Sequence, residues 1–415
     1  MKQDVYEKET CRLCGGRHLE RVIELVPTPP GNHFVALQDL GTAQKAYPLD
    51  IDFCSDCHHL QLGHVVHPGI LYQKNYSYVS GTSPVFVKHL KDYASYVVSR
   101  FALPAQGLVL DIGSNDGTAL SFFQQAGYKV LGIDPATEIV ESANHKGIET
   151  LCEFFGLEVA RKYATKYGKA ILINSHNACA HIDDLKGVIE GVEHWLADDG
   201  LFVVEVGYLL DIVQNGWFDT IYHEHVDFHS VEPFVAFFRR CGLEVISSQR
   251  VSPQGGSIRL IAQKLGRPRK ADQSVSELIS LEREAGLNRR ETFIEFGHKI
   301  NRIGADLSKL IKELKQKGAT IAGFGAPTKA TTLLSHFQLG QALDFLVDEN
   351  PLKQNLYSPG HHIPVVSAEE LYRRKPDYLL ILAWNFAENI MERHRAFRAQ
   401  GGQFIVPMPE PRICD

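Results

Sequence analysis

The chain of 415 residues is poor in cysteine, with 8, and carries no basic excess: 43 Lys and Arg stand against 49 Asp and Glu, a net charge of −6. So few thiols in a chain this long do not make a disulfide framework. Interspersed acids and bases leave no positive field for nucleic acid. No uninterrupted apolar run approaches bilayer-spanning length, and Met1 to Thr10 holds no apolar signal segment. A soluble, cytoplasmic protein with no membrane or nucleic-acid partner is expected. The length suffices for two or three domains, each with its own core, and a monomer is expected on that ground.

Two further absences narrow the chemistry. Gly323-Phe-Gly325 lacks the third glycine of a dinucleotide fingerprint, which weakens any case for NAD. His225 and His229 have the spacing of a zinc protease pair, but Val226 stands where that motif needs a Glu.

What is present begins with Val109-Leu-Asp-Ile-Gly-Ser-Asn-Asp-Gly117, an apolar run that breaks into glycines before a helical pattern. Such a strand, turn and helix start lets a backbone approach a ligand closely. Asp111 and Asp116 would repel a pyrophosphate, but beside Gly113 they suit a cofactor with a sulfonium and an amino group, S-adenosylmethionine (SAM). The next strand ends in Asp134 and Pro135, where an acid can hold ribose hydroxyls. Glu153, Phe154 and Phe155 follow a third β-like unit and fit an adenine edge and face. The strand from Ala170 leaves Asn174, His176 and Asn177 at its carboxyl end, with His181 just beyond. Ligands of open parallel sheets sit outside that end. Either histidine, taken singly, is more readily a satisfied core or cap residue. Tyr72 to Pro84, with Tyr76 and Tyr78, can lie over the cofactor mouth or simply pack.

Cys11-Arg-Leu-Cys14 and Cys54-Ser-Asp-Cys57 are two C-x-x-C knuckles about forty residues apart. Four thiolates close a tetrahedral zinc site and leave no open position, so this Zn2+ is expected to be structural. The densest constellation is Asp219 to Ser230, with Tyr222, His223, Glu224, His225, Asp227 and His229. A metal cluster stays open there, but acid and base chemistry is better motivated. Histidine titrates near neutrality, Glu224 can orient an imidazole, and Tyr222 can donate to an oxyanion. Arg259, after Gly255-Gly256, can reach a phosphate or simply flank a hairpin turn. A charged helical run from Val275 to Lys317 reads as linker and scaffold. A second strand, glycine turn and helix start follows at Gly318 to Thr332, where Thr328 and Lys329 suit a diphosphate, and Asn350 closes the next strand.

Taken together, the two C-x-x-C pairs, Asp111 to Gly117, Tyr222-His-Glu-His225, Gly255 to Arg259, Gly325-Ala-Pro-Thr-Lys329 and Asn350-Pro-Leu-Lys353 resemble the sugar C-methyltransferase family of deoxysugar biosynthesis. The resemblance implies an α/β protein in parts: a zinc-binding module over 1–68, a Rossmann-like SAM-dependent methyltransferase domain over 69–265, a helical linker over 266–300, and a C-terminal Rossmann-like domain over 301–415 that holds a nucleotide sugar. It implies methylation of C-3 of a nucleotide-linked 4-keto-6-deoxysugar, with His225 as general base, Tyr222 and Glu224 beside it at the sugar and Tyr76 in a lid. Arg259, Lys329, Thr332 and Asn350 are the candidate substrate contacts. Two departures stand out. Similar proteins commonly read Gly-Ala-Pro-Ala-Lys-Gly-Asn-Thr where this chain has Gly325 to Thr332 with Thr328, and the cluster continues Val226-Asp227-Phe-His229 where an apolar, Ser and Tyr run is usual. Competing readings are methyl transfer to another acceptor, a nicotinamide-dependent sugar-nucleotide oxidoreductase, and a zinc-stapled partner-binding protein that merely keeps a SAM fold.

Overall fold

Apolar, β-branched runs punctuated by glycine build three sheets and a short ribbon in the computed structural model, which describes residues 4–72, 79–252 and 255–414. All that follows concerns these residues. Tyr76 and Tyr78 lie outside them.

The N-terminal unit is an antiparallel sheet of β2 (Leu19–Thr28), β3 (Tyr47–Cys54) and β4 (Leu60–Leu62), beside a ribbon of β1 (Val5–Glu7) and β5 (His64–Val66). Its fourth strand comes from far along the chain. β11 (Asp227–Phe228) pairs antiparallel with β4, so the histidine-rich segment is held by the zinc module.

The central sheet has the order β12, β13, β10, β9, β6, β7, β8. β6 (Leu108–Ile112), β7 (Lys129–Asp134), β8 (Thr150–Cys152), β9 (Ala170–His176) and β10 (Leu196–Gly207) run parallel, and the hairpin of β12 (Leu243–Val251) and β13 (Ser257–Lys264) adds antiparallel to β10. β6 is buried along its whole length, as a parallel strand covered on both faces must be. In front of it, the helix Pro84–Phe101 starts where Ser83 accepts from the Phe86 amide and Pro84 takes the first turn. Phe86, Leu90, Tyr93, Ala94 and Val97 form its buried stripe.

The C-terminal unit is a second, mostly parallel sheet. Its order is β16 (Val365–Val366), β15 (Leu346–Val347), β14 (Ile321–Phe324), β17 (Tyr378–Ile381), β18 (Gln403–Val406) and an antiparallel β19 (Arg412–Cys414).

Between the sheets, the helix Arg290–Gln316 runs unbroken through residue 300, where a linker end was expected. Phe293, Phe296, Ile300, Ile303, Leu307, Ile311 and Leu314 are its buried face, a periodicity that marks a core helix. Phe293 meets Phe53 of β3 at 5.5 Å between ring centres. Gly304 lies so close to Phe337 that a Cβ there would sit 2.4 Å from its ring. One apolar cluster consequently runs from Leu25 and Ile51 through Phe202 and Leu307 to Leu380 and Met408.

Candidate active site

A cavity of about 1200 Å³ opens where the three units meet, and all three line it. Its floor is the carboxyl edge of the central sheet, where β6 breaks into a left-handed turn: Gly113, Asn115 and Gly117 all have positive φ. A Cβ on Gly113 would lie 2.5 Å from the Ala178 methyl, and one on Gly117 would strike Ile148 at 2.9 Å. Glycine alone satisfies both the φ and the clearance. Asp134, at the end of β7, buttresses this turn by accepting from the Asn115 amide (3.0 Å) and the Ala136 amide (2.9 Å). Burial raises its carboxyl above the ordinary range, against the pull of those two bonds.

Asp111 is buried on the cavity wall, and its Oδ1 has no hydrogen-bond partner. Burial raises its pKa, and His176, 3.9 Å away, opposes that rise. A buried carboxylate on a cavity wall, with one oxygen left without a hydrogen bond, fits a cationic ligand group. Gly113, Asp134, Pro135, Glu153, Phe154, Phe155, Asn177 and His181 line the same cavity, with Phe154 51 % exposed. Lys162 and Tyr163 hold Glu153 at 2.8 and 3.1 Å. These residues fit SAM: acids for its amino group and ribose, an open aromatic for its adenine.

Two cofactor candidates are placed otherwise. Asp116 turns back on its own helix start, bonding Thr118 Oγ1 (2.6 Å) and Lys146 (3.0 Å), and is off the cavity wall. Asn174 is fully buried beneath the floor, where it accepts from the Tyr93 hydroxyl. Both support the pocket from behind. Depth along the strand decides the second case: Asn174 shares a face with Asp111, its register partner on β6, and with His176, but lies two residues short of the strand's end.

Above the floor stands the histidine cluster, and tertiary packing sorts it. His229 is buried against Phe234, with ring centres 4.0 Å apart. His223 bonds the Tyr47 carbonyl at 3.1 Å. Asp219 accepts from Trp384 Nε1 at 2.7 Å. Asp227 receives His59 Nε2 at 2.7 Å, so His59 ties a zinc knuckle to the cluster. Tyr222, Glu224, His225 and Asp227 reach the cavity. His225 Nδ1 lies 2.8 Å from the Thr220 carbonyl, which can only accept, so Nδ1 carries the proton. Nε2 therefore presents its lone pair, 2.8 Å from the Tyr222 hydroxyl that donates to it. Burial lowers His225 to about 4, partly offset by the bond to Thr220. It is a neutral base at physiological pH. His181 stands edge-on to it at 4.9 Å, and burial keeps His181 well below the usual histidine range, where a proton on His225 would push it lower still. The Val226 amide donates to Ala180 O (2.8 Å) and its carbonyl accepts from Leu62 N (2.9 Å), which clamps the backbone just after the base. Burial pushes Glu224 up to about 7, opposed by a hydrogen bond from Asn32 and the charge of Lys353.

On the C-terminal side, Lys329 and Asn350 line the cavity, and Lys329 Nζ bonds Asn385 Oδ1 at 2.7 Å. Thr332 does not reach it. Its buried hydroxyl donates to Ile221 O (2.8 Å) and pins the segment that carries Tyr222. Arg259 is likewise turned inward, paired with Glu205 at 2.9 Å over the Tyr93 ring. Burial would raise Glu205, but its bond to His89 and the charges of His176, Arg259 and His89 outweigh that and hold it at about 2. With its guanidinium committed to a buried acid, Arg259 acts as a strut under the sheet edge and not as a phosphate contact. Two lining residues, Asn32 and Lys353, were not singled out from the sequence. Asn32 follows a Pro-Pro-Gly run with no chemical motif around it, whereas Lys353 closes the Asn350-Pro-Leu-Lys motif and was legible there.

The four cysteines converge. The Sγ atoms of Cys11, Cys14, Cys54 and Cys57 all lie within 4.8 Å of one another, with Cys11 to Cys57 at 3.6 Å and Cys14 to Cys54 at 3.5 Å. Tetrahedral ligands at a zinc–sulfur distance of about 2.3 Å sit about 3.8 Å apart, so the set fits Zn2+.

Over its whole length the chain is 36 % identical to C-methyltransferase NovU from Streptomyces niveus, across 414 residues and 98 % of that protein. The chain belongs to the C-methyltransferase family. The family profiles agree unit by unit: a zinc binding domain over 11–72, a methyltransferase domain over 86–248 and a C-methyltransferase C-terminal domain over 252–409. The methyltransferase is SAM-dependent and carries a zinc-binding module. Solved structures show more distant likenesses. Magnesium protoporphyrin IX methyltransferase from Synechocystis matches at 15 % identity with TM-score 0.34, over 43 % of this chain and 79 % of that one. A SAM-dependent methyltransferase from Clostridium acetobutylicum matches at 15 % with TM-score 0.36, over 43 % and 92 %. Likenesses that distant add nothing to the assignment. No described helix is long and apolar enough to cross a membrane.

Proposed function

We propose that the enzyme methylates C-3 of a nucleotide-diphosphate-linked 4-keto-6-deoxysugar through an enolate. The observation that carries this reading is the neutral, hydroxyl-capped His225 facing the same cavity as the SAM residues. Bound SAM supplies an electrophilic methyl group. His225 Nε2 takes the proton from the carbon beside the ketone, and the electron pair left behind moves onto the ketone oxygen. A proton next to a ketone is far less acidic than imidazolium, and each pK unit is about 1.4 kcal/mol, so that oxyanion must be held. Tyr222 is placed for this: its hydroxyl, released from Nε2 as the proton arrives there, can turn to donate to the oxygen. Such a donor contributes about 3 to 4 kcal/mol. Lys329, Lys353 and Asn350 on the opposite wall support a diphosphate.

The test is turnover with methyl-labelled SAM and a panel of nucleotide-linked 4-keto-6-deoxysugars, read by mass and carbon NMR, with deuterium wash-in followed when SAM is omitted. The expected product has a quaternary C-3. Methyl at C-5, the other carbon beside the ketone, would keep the chemistry and correct the position. Neither methylation nor wash-in across the panel would reject the keto sugar.

A further inference from the structure

Asn32 belongs to the zinc module, yet it sits at the junction of all three units. Its loop is docked on the C-terminal unit, where Val35 and Tyr357 exchange backbone hydrogen bonds of 2.9 and 2.8 Å. Gly31 meets Thr328 so closely that a Cβ would lie 2.5 Å from the Thr328 carbonyl oxygen. Thr328 Oγ1 donates to Asn32 Oδ1 at 2.8 Å. The amide's direction follows from its other partner, because an ionised carboxylate only accepts whereas the hydroxyl can do either. Nδ2 is thereby turned to Glu224 and donates to its Oε1 at 2.7 Å.

The other carboxylate oxygen of Glu224, Oε2, makes no hydrogen bond with any described residue, and Glu224 lines the cavity one residue before the base. The groups around it are few. Lys353, bonded to Ala326 O at 2.8 Å, is the cation that faces it from the C-terminal unit. The Tyr72 hydroxyl reaches its backbone carbonyl at 3.4 Å. His225 and His181 are held neutral by burial.

We propose that Asn32, held by Thr328, is a positioning residue that clamps one oxygen of Glu224 and so presents the other to a hydroxyl or ammonium substituent on the sugar beside the reacting carbon. The inference rests on the sugar substrate proposed above for the identity of that substituent, but not for the clamp itself. The helix that starts at Thr328 also carries Lys329, so the sugar end and the phosphate end of the cavity are linked through one element.

The clamp is read without substrate. In protein labelled with carbon-13 at the Glu carboxyl, the Glu224 resonance is identified by its loss in Glu224→Gln and followed through a pH titration. Asn32 donates to the ionised form, so losing that bond raises the titration midpoint. Asn32→Leu and Thr328→Val are expected to raise it by about one pH unit, a tenfold change in proton affinity, whereas Thr328→Ser, which keeps the hydroxyl, holds the wild-type midpoint. Midpoints unmoved in both Asn32→Leu and Thr328→Val overturn the proposal. If Asn32→Leu does not fold, Thr328→Val against Thr328→Ser decides alone, and a midpoint raised equally in both, or in neither, overturns it. Turnover then separates the two readings. With a sugar substrate in hand, Asn32→Leu should lower kcat/KM for the sugar about tenfold and leave the KM for SAM unchanged. Moved midpoints with no turnover of any keto sugar by the wild type leave the clamp standing and remove the substrate. Normal turnover with unmoved midpoints does the reverse.

Discussion

His225 is the residue whose chemistry the packing defines most fully. Its proton sits on Nδ1 because the Thr220 carbonyl can only accept, so the reactive nitrogen is chosen by the backbone. His225→Asn should therefore lower kcat on the order of 10² to 10⁴-fold and abolish deuterium wash-in, with SAM binding by calorimetry retained. Activity and wash-in close to wild type in that variant would remove the assignment. The same burial makes three neutral histidines a stability device. His223, His225 and His229 fall from 6.5 to about 4, 4 and 3. Below pH 6.5 the unfolded chain takes up protons that the folded one refuses, so each histidine costs up to about 1.4 kcal/mol per pH unit as pH falls from 6.5 to its folded value. Glu224, raised from 4.5 to about 7, works in the opposite direction over much of that range, as the raised carboxyls of Asp111 and Asp134 do at its lower end, while His181 acts with the other histidines. Denaturant midpoints should therefore fall steadily from pH 6.5 towards 4, and a flat profile would show that these imidazoles are not buried neutral. Arg259 makes a separate prediction. Removing one partner of a buried pair strands the other, so Arg259→Met should destabilise the fold by about 3 to 5 kcal/mol in chemical denaturation; a raised sugar KM at unchanged stability would instead restore the phosphate role.

At the scale of elements, the short strand β11 matters more than its length suggests. It carries Asp227, the partner of His59, and begins two residues after the base, yet it pairs with β4 of the zinc module and not with the central sheet. A two-residue strand cannot hold its place alone. Its position depends on the knuckle that ends in Cys57. Stripping the metal with a strong chelator, or Cys54→Ser, is thus expected to abolish methyl transfer and lower the melting temperature. Isolated wild-type protein should contain about one zinc per chain by elemental analysis, as a four-thiolate site implies. Full activity in metal-free protein would show that the module is dispensable. The helix Arg290–Gln316 teaches a related lesson. Its exposed charges read as a spacer in the sequence, but its stripe of Phe and Ile is buried against both neighbours, and such a face belongs to a core.

For the whole molecule, a single apolar cluster spanning the three units predicts one cooperative calorimetric transition, since no unit can leave without exposing the others' core. Two or more resolved transitions would argue for independent domains. The sequence by itself determined the local parts: the glycine turn at Gly113 to Gly117, the zinc knuckles, the order of strands and helices, and the histidine-rich stretch at Tyr222 to His225. These are legible because φ preference, ligand spacing and hydrophobic period are properties of neighbours in the chain. Only the tertiary structure decided which side of an element each candidate faces. Asp116 and Thr332 went to structural bonds, Asn174 and Arg259 went beneath the sheet's edge, and three of the histidines around the cluster went into packing. Asn32, with no motif to announce it, arrived at the base's shoulder from nearly two hundred residues away. A side chain's role there follows from the partner that packing brings to it, and that partner lies elsewhere in the chain.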